Sequence, residues 1–142
     1  MKTIHPYLVF NGNAEEAFTF YQSVFGGEFQ SIERFRNIPG MENIPPELKD
    51  KIMHIALPID NGILLMASDT FEALGNKLIV GNNFNIYVEL DSKEEADKLY
   101  DKLSVGGKIE MPIADTFWGA YYGAFADQFG VKWMISHTYK KE

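Results

Sequence analysis

The chain has 142 residues, no cysteine and a formal net charge of −7; that length allows one sizeable core, either a single domain or two half-domains that share it. The missing cysteines exclude disulfides, thiolate nucleophiles and zinc-finger chemistry, and the acidic balance argues against nucleic acid or an anionic membrane as partner, because both demand a basic surface. No run of about eighteen apolar residues and no charged-then-apolar start is present, so the expected location is cytoplasmic.

Taken in order, residues 5–10 (His5-Pro6-Tyr7-Leu8-Val9-Phe10) read as a short strand. A helix follows, announced by Asn13 three residues before Glu16, a spacing that lets side chain and backbone satisfy two orphaned N–H groups reciprocally. Its apolar positions Ala17, Tyr21 and Val24 recur at helical spacing, and Gly26-Gly27 can cap its end. Strands are predicted over residues 28–35, 53–59 and 63–68, the last two joined by Asp60-Asn61-Gly62, where Asn-Gly is a strong hairpin signal. Residues 36–51 interrupt this pattern with Pro39, Pro45 and Pro46, allow one turn of helix at Pro46-Glu47-Leu48, and read as a lid or a surface excursion.

About eighty residues on, the sequence says the same thing again. Residues 84–90 alternate, with Phe84, Ile86, Val88 and Leu90 on one face and Asn85, Tyr87 and Glu89 on the other. Ser92 stands three before Glu95, Ala96, Leu99, Tyr100 and Leu103 form the buried stripe of a second helix, and Gly106-Gly107 ends it. Strands follow over 108–111, 120–126 and 131–136. The last strands of the two copies share Gly, then Met four on, then Ser: Gly62, Met66, Ser68 and Gly130, Met134, Ser136. The chain is a tandem βαβββ duplication within one domain over 1–142: module 1 over about 1–69, a linker over 70–82, and module 2 over about 83–137.

With that repeat laid out, the sequence resembles the vicinal oxygen chelate superfamily, which includes glyoxalase I, bleomycin-resistance proteins and extradiol dioxygenases, and within it the PhnB-like branch. The residues that carry the resemblance run from end to end: Pro6-Tyr7-Leu8, Ala14-Glu15-Glu16-Ala17, Phe20-Tyr21, Phe25-Gly26-Gly27-Glu28, Met66-Ala67-Ser68-Asp69, Phe117-Trp118-Gly119 and residues 127–133. It implies an α+β fold whose two βαβββ modules form a cupped, barrel-like mixed sheet around a cavity, in a homodimer. Metal-dependent members hold a divalent ion with one side chain from the first and one from the last strand of each module. Carried through this chain's repeat, those positions are His5, Met66, Asn85 and Met134. One imidazole, one amide and two thioethers are not the His and carboxylate set that catalytic zinc, nickel or iron requires, so no catalytic metal and no cofactor is expected. The same soft donors suit Cu(I), although methionine more commonly fills an irregular core.

The remaining candidates line the same predicted cavity. His54 can join Met66 and Ser68, or be a hydrogen-bonded structural residue. Glu89 shares a face with Tyr87, and burial there would raise its pKa and make it a usable base. The aromatic run 117–125 places Trp118 and Tyr121 or Tyr122 near the cavity, with Gly119 and Gly123 leaving room, while Trp133 belongs to the core and Asp127 caps a turn. No phosphate loop, nucleophile elbow or helical histidine pair is present, and nothing supports the methyltransferase label sometimes attached to the branch, since the chain lacks a nucleotide-binding βαβ unit. Two function classes stand: a metal-independent binder of a small molecule, expected to be planar or cationic, and an enzyme of the same fold with isomerase, lyase or dioxygenase chemistry run by His5, His54 or Glu89. A third, blander reading is a module filled by its own side chains.

Overall fold

The computed structural model describes residues 1–140. It is an α+β molecule built as two βαβββ units, the first Met1–Ile79 and the second starting at Val80. The first unit runs β1 (Tyr7–Phe10), α1 (Ala14–Phe25), β2 (Ser31–Arg34), β3 (Ile52–Pro58) and β4 (Leu64–Asp69). The second runs β5 (Ile86–Glu89), α2 (Lys93–Leu103), β6 (Lys108–Asp115), β7 (Ala120–Ala126) and β8 (Lys132–Thr138). Each unit folds into one four-stranded mixed sheet, cupped rather than closed on itself, in the order β1-β4-β3-β2 and β5-β8-β7-β6. The duplication holds to the residue: Tyr7 pairs in parallel with Met66 and Val9 with Ser68, just as Tyr87 pairs with Met134 and Glu89 with Ser136.

One face of each sheet packs on its own helix. In the first unit α1 buries Ala14, Ala17, Phe18 and Tyr21 against Ile55, Leu57, Leu65 and Ala67. In the second, α2 buries Ala96, Tyr100 and Leu103 against Phe125, Trp133 and Ile135, with the Tyr100 and Phe125 rings edge to face at 5.4 Å. Burying such side chains stabilises each unit by roughly 1.5–3 kcal/mol per large residue. Gly123 lies on this helix-facing side of β7, where a Cβ would sit 2.8 Å from the Tyr100 ring. The room it leaves is therefore taken by α2 and not by a ligand, contrary to the sequence expectation.

The two helix starts differ. In α2 the Ser92 hydroxyl accepts from Glu95 N, and Glu95 returns a bond to Asp91 N, one residue earlier than the predicted reciprocal box. In α1 the Asn13 side chain makes no capping bond. Asp69, at the end of β4, takes its place: one carboxylate oxygen accepts from Ala14 N and the other from Ile52 N, both at 2.9 Å. The helix ends differ as well, since Gly26 at φ 79° follows α1 directly while α2 stops at Leu103, short of Gly106.

The insertion between β2 and β3 is tied down at its base. Phe35 N donates to Lys51 O and Arg36 N to Lys49 O, and a helical turn forms at Pro46–Leu48 as the prolines predict. Leu48 is buried with Phe35 and Phe71, and Met41 and Ile44 pack on that cluster. A small apolar cluster therefore fastens the segment to Phe35 and Phe71 of its unit. The strands also shift from their predicted bounds: β2 is shorter, whereas β6 extends to Asp115 and β8 to Thr138 because backbone pairing continues past the point where alternation fades.

Candidate functional site

Opposite its helix, each sheet presents an open face, and strand parity decides which side chains stand on it. In the first unit the rows Tyr7–Met66–Ala56 and Val9–Ser68 share this face, and His54, two residues from Ala56, stands on it too. The Tyr7 and His54 rings stack with centroids 5.8 Å apart, and the Tyr7 hydroxyl is hydrogen-bonded to His54 Nδ1 at 3.2 Å. Tyr7, His54, Met66 and Ser68 are thus brought together. His5 lies just before β1, where its Nδ1 accepts a bond from Leu64 N at 2.9 Å. An imidazole whose Nδ1 lone pair is engaged by a backbone N–H carries its proton on Nε2, which makes that nitrogen a donor and not a metal ligand.

The second unit arranges the equivalent face differently. Tyr87, Met134 and Ala124 form one row, and Glu89, Ser136 and Tyr122 the next. Asn85 precedes β5 by one residue and is half-buried. Val9 of the first unit has become Glu89, so here the tyrosine hydroxyl turns to a carboxylate: Tyr87 donates to Glu89 Oε1 at 2.8 Å. Thr138, at the end of β8, donates to the same carboxylate from its backbone N at 2.6 Å and from its hydroxyl at 3.0 Å. Burial alone would raise the Glu89 pKa, but the bonds from Thr138 N, Tyr87 and the Thr138 hydroxyl, with His137 nearby, together hold it below the ordinary carboxylate range. This corrects the expectation of a raised, base-like carboxyl. Glu89 is a fixed negative charge, and no salt bridge among the described residues neutralises it.

Aromatic rings stand on the β7 side of that charge. Trp118, 42% exposed, meets the Tyr122 ring edge to face at 5.7 Å, and Phe117 leans on Trp118 at 5.1 Å. Burial raises the Tyr122 hydroxyl pKa, and the Tyr87 phenol adds to the shift. Tyr121 is not part of this group. It points to the helix side, where its hydroxyl donates to Asp97 of α2 at 2.6 Å and its ring lies under Lys93 Nζ; the Asp97 bond first, then burial, pushes its pKa up to about 12. Two contributors are missing from the sequence reading. Thr138 falls past the predicted end of β8. Ser136 is 1% exposed, and its hydroxyl is the buried side-chain polar atom without a hydrogen-bond partner among the described residues. The repeat pairs it with Ser68, which is the signal that identifies it.

Trp133 and Asp127 are structural. Asp127 Oδ1 accepts from Phe129 N and Val131 N, closing the β7–β8 turn, while its Oδ2 accepts from the buried Trp133 Nε1 at 2.9 Å. A cleft of about 930 Å³ opens beside the start of α1, and three of the five acids that line it are already engaged: Glu15 with Arg34, Asp50 with Arg36, and Asp69 with backbone N–H groups. None of the residues predicted for the site lines it.

The family positions for a divalent ion do not fit one. His5 presents a protonated Nε2, and the other three side chains are Met66, Asn85 and Met134. Among the described residues no three His, Asp or Glu side chains are grouped to hold a metal ion.

Against known proteins, the family model of the glyoxalase/bleomycin resistance protein/dioxygenase superfamily matches residues 3–135. The chain belongs to this superfamily. Protein PA1353 from Pseudomonas aeruginosa is 39% identical, with 97% of this chain and 98% of that one covered and a TM-score of 0.84. A PhnB protein from Bacillus cereus is 28% identical over 96% of this chain and 100% of its own, with a TM-score of 0.73. Protein YjdN of Escherichia coli K12 is 30% identical, covering 94% of this chain and 93% of that protein. The open faces of its two halves carry different groups: Val9 and His54 in one half answer to Glu89 and an aromatic wall in the other.

Proposed function

We propose that this superfamily member binds a small planar cation on the open face of its second module and needs no catalytic divalent metal to do so. The observation that carries the reading is Glu89, held ionised by Tyr87 and Thr138 on the sheet face that also carries Tyr87 and Tyr122, the latter in contact with Trp118. A fixed carboxylate beside aromatic faces offers a cation both charge and π-attraction, the latter worth about 0.5–2 kcal/mol, while flat rings favour a planar ligand. The donor set at His5, Met66, Asn85 and Met134 supports the metal-free half of the reading.

Thermal melts test it. Naphthylmethylamine, a cation at neutral pH, is compared with naphthylmethanol and naphthoate, which share the ring but not the charge. A ligand at a hundred times its Kd adds about 2.7 kcal/mol to stability, so the amine raises Tm while the alcohol does so weakly and the acid not at all. Glu89→Gln and Trp118→Ala each reduce the shift. Zinc, nickel, manganese, iron(II) and copper(I) leave Tm unchanged. Stoichiometric binding of one of these ions that is lost in His5→Ala overturns the metal-free reading, and equal shifts from amine and acid overturn the cation site.

A further inference from the structure

We infer that Ser136 is the hydrogen-bonding floor of the second module's site and selects cations that carry N–H groups, primary ammonium above all, over fully alkylated ones; this rests on the cation site proposed above. Ser136 sits on β8, a central strand of its sheet, in register with Glu89 on one side and Tyr122 on the other. Neighbouring strands lie about 4.8 Å apart, so the serine oxygen lies beneath the space between the carboxylate and the ring, and a nitrogen held there reaches it once the side chains that cover it part. That oxygen is buried and unpartnered. Buried polar atoms are almost always hydrogen-bonded, and leaving one without a partner is destabilising. An alanine would avoid the cost, as Ala124 does one row along on β7.

A ligand N–H is the complement this oxygen lacks. Glu89 can take only part of an ammonium's hydrogen-bonding capacity, because its Oε1 already accepts from Tyr87 and Thr138 and its Oε2 from Thr138 N. An ammonium has three donors, and one directed down to Ser136 completes the set. A trimethylammonium keeps the charge and the ring contacts but has nothing to donate.

Calorimetry on the full chain compares naphthylmethylamine with its N,N,N-trimethyl form, in wild type and in Ser136→Ala. The expected result is that Ser136→Ala melts no lower than wild type, binds the primary ammonium about tenfold more weakly, the worth of one hydrogen bond, and binds the trimethyl form unchanged. A lower Tm for Ser136→Ala shows that the hydroxyl already has a partner, and overturns the inference. So does an equal loss for both cations, which marks a structural effect, or no loss for either, and in both cases the cation site itself stands. If wild type binds neither cation, the cation site falls and this inference with it.

Discussion

Glu89 is the residue at which the two copies of the repeat part company chemically, and its charge is what the site depends on. Its folded pKa lies below the ordinary carboxylate range although desolvation alone would raise it, because Thr138 and Tyr87 donate to the charged form. A carboxyl depressed in the folded state contributes stability that is fully present above its unfolded pKa and is lost as pH falls through the folded value. Cation affinity follows the same window. Binding of naphthylmethylamine is therefore expected to be flat from about pH 8 to pH 5 and to fall only below the ordinary carboxylate range, a profile that titration calorimetry reads directly. Glu89→Gln should flatten what remains of the profile and weaken binding at neutral pH by tenfold or more, since an amide keeps the hydrogen-bonding shape without the charge; a midpoint near pH 6 would mean that the wrong group has been assigned. The sequence places Glu89 beside Tyr87 by alternation alone. It does not reveal the sign of the shift, because the decisive donor, Thr138, is 49 residues away and beyond the predicted end of its strand.

At the scale of the element, local and distant determinants separate cleanly in the two helices. The start of α2 is legible in its sequence because Ser92 and Glu95 cap it from three residues apart. The start of α1 offers the same local pattern at Asn13 and Glu16, yet its cap comes from Asp69, 55 residues on, which no local pattern can disclose. Ser92→Ala should therefore cost about 1 kcal/mol and Asn13→Ala far less. Asp69→Ala leaves two buried N–H donors unmet and should cost about 3 kcal/mol. Urea unfolding of the three variants ranks them, and an Asn13→Ala cost equal to that of Asp69→Ala would refute the assignment. Strand β7 was ambiguous for a related reason. Tyr121 and Tyr122 are identical neighbours in a run rich in aromatic and small residues, so parity is invisible until the ladder fixes it. The structure puts Tyr121 on α2 through Asp97. Tyr121→Phe should lower stability by about 1 kcal/mol and leave cation binding untouched, whereas Tyr122→Ala should weaken the binding.

For the whole molecule, the duplicated order of strands and helices was readable because each module repeats its hydrophobic period, its cap spacing and its Gly-Met-Ser strand in the same sequence. Assembly is not written in that pattern, and the sheet edges argue for it instead. Each sheet ends on one side in an antiparallel strand, β2 or β6, and these carry the protections expected of free edges: Glu33 and Arg34 on one, Lys108, Glu110 and Pro112 on the other. The opposite edges, β1 and β5, are parallel strands of four residues with exposed Tyr7, Val9 and Tyr87 and only Glu89 as a charge. An edge with so few charges is a template for pairing with another chain. We therefore expect a homodimer in which a second copy covers these edges. Sedimentation should give twice the chain mass of 16.2 kDa, and because association stabilises by mass action, Tm should rise with protein concentration. Val9→Lys, placing a charge on β1, should shift sedimentation toward the monomer and lower Tm most at low concentration. A chain that sediments as a monomer throughout, with a concentration-independent Tm, would mean that the short length of β1 and β5 is protection enough.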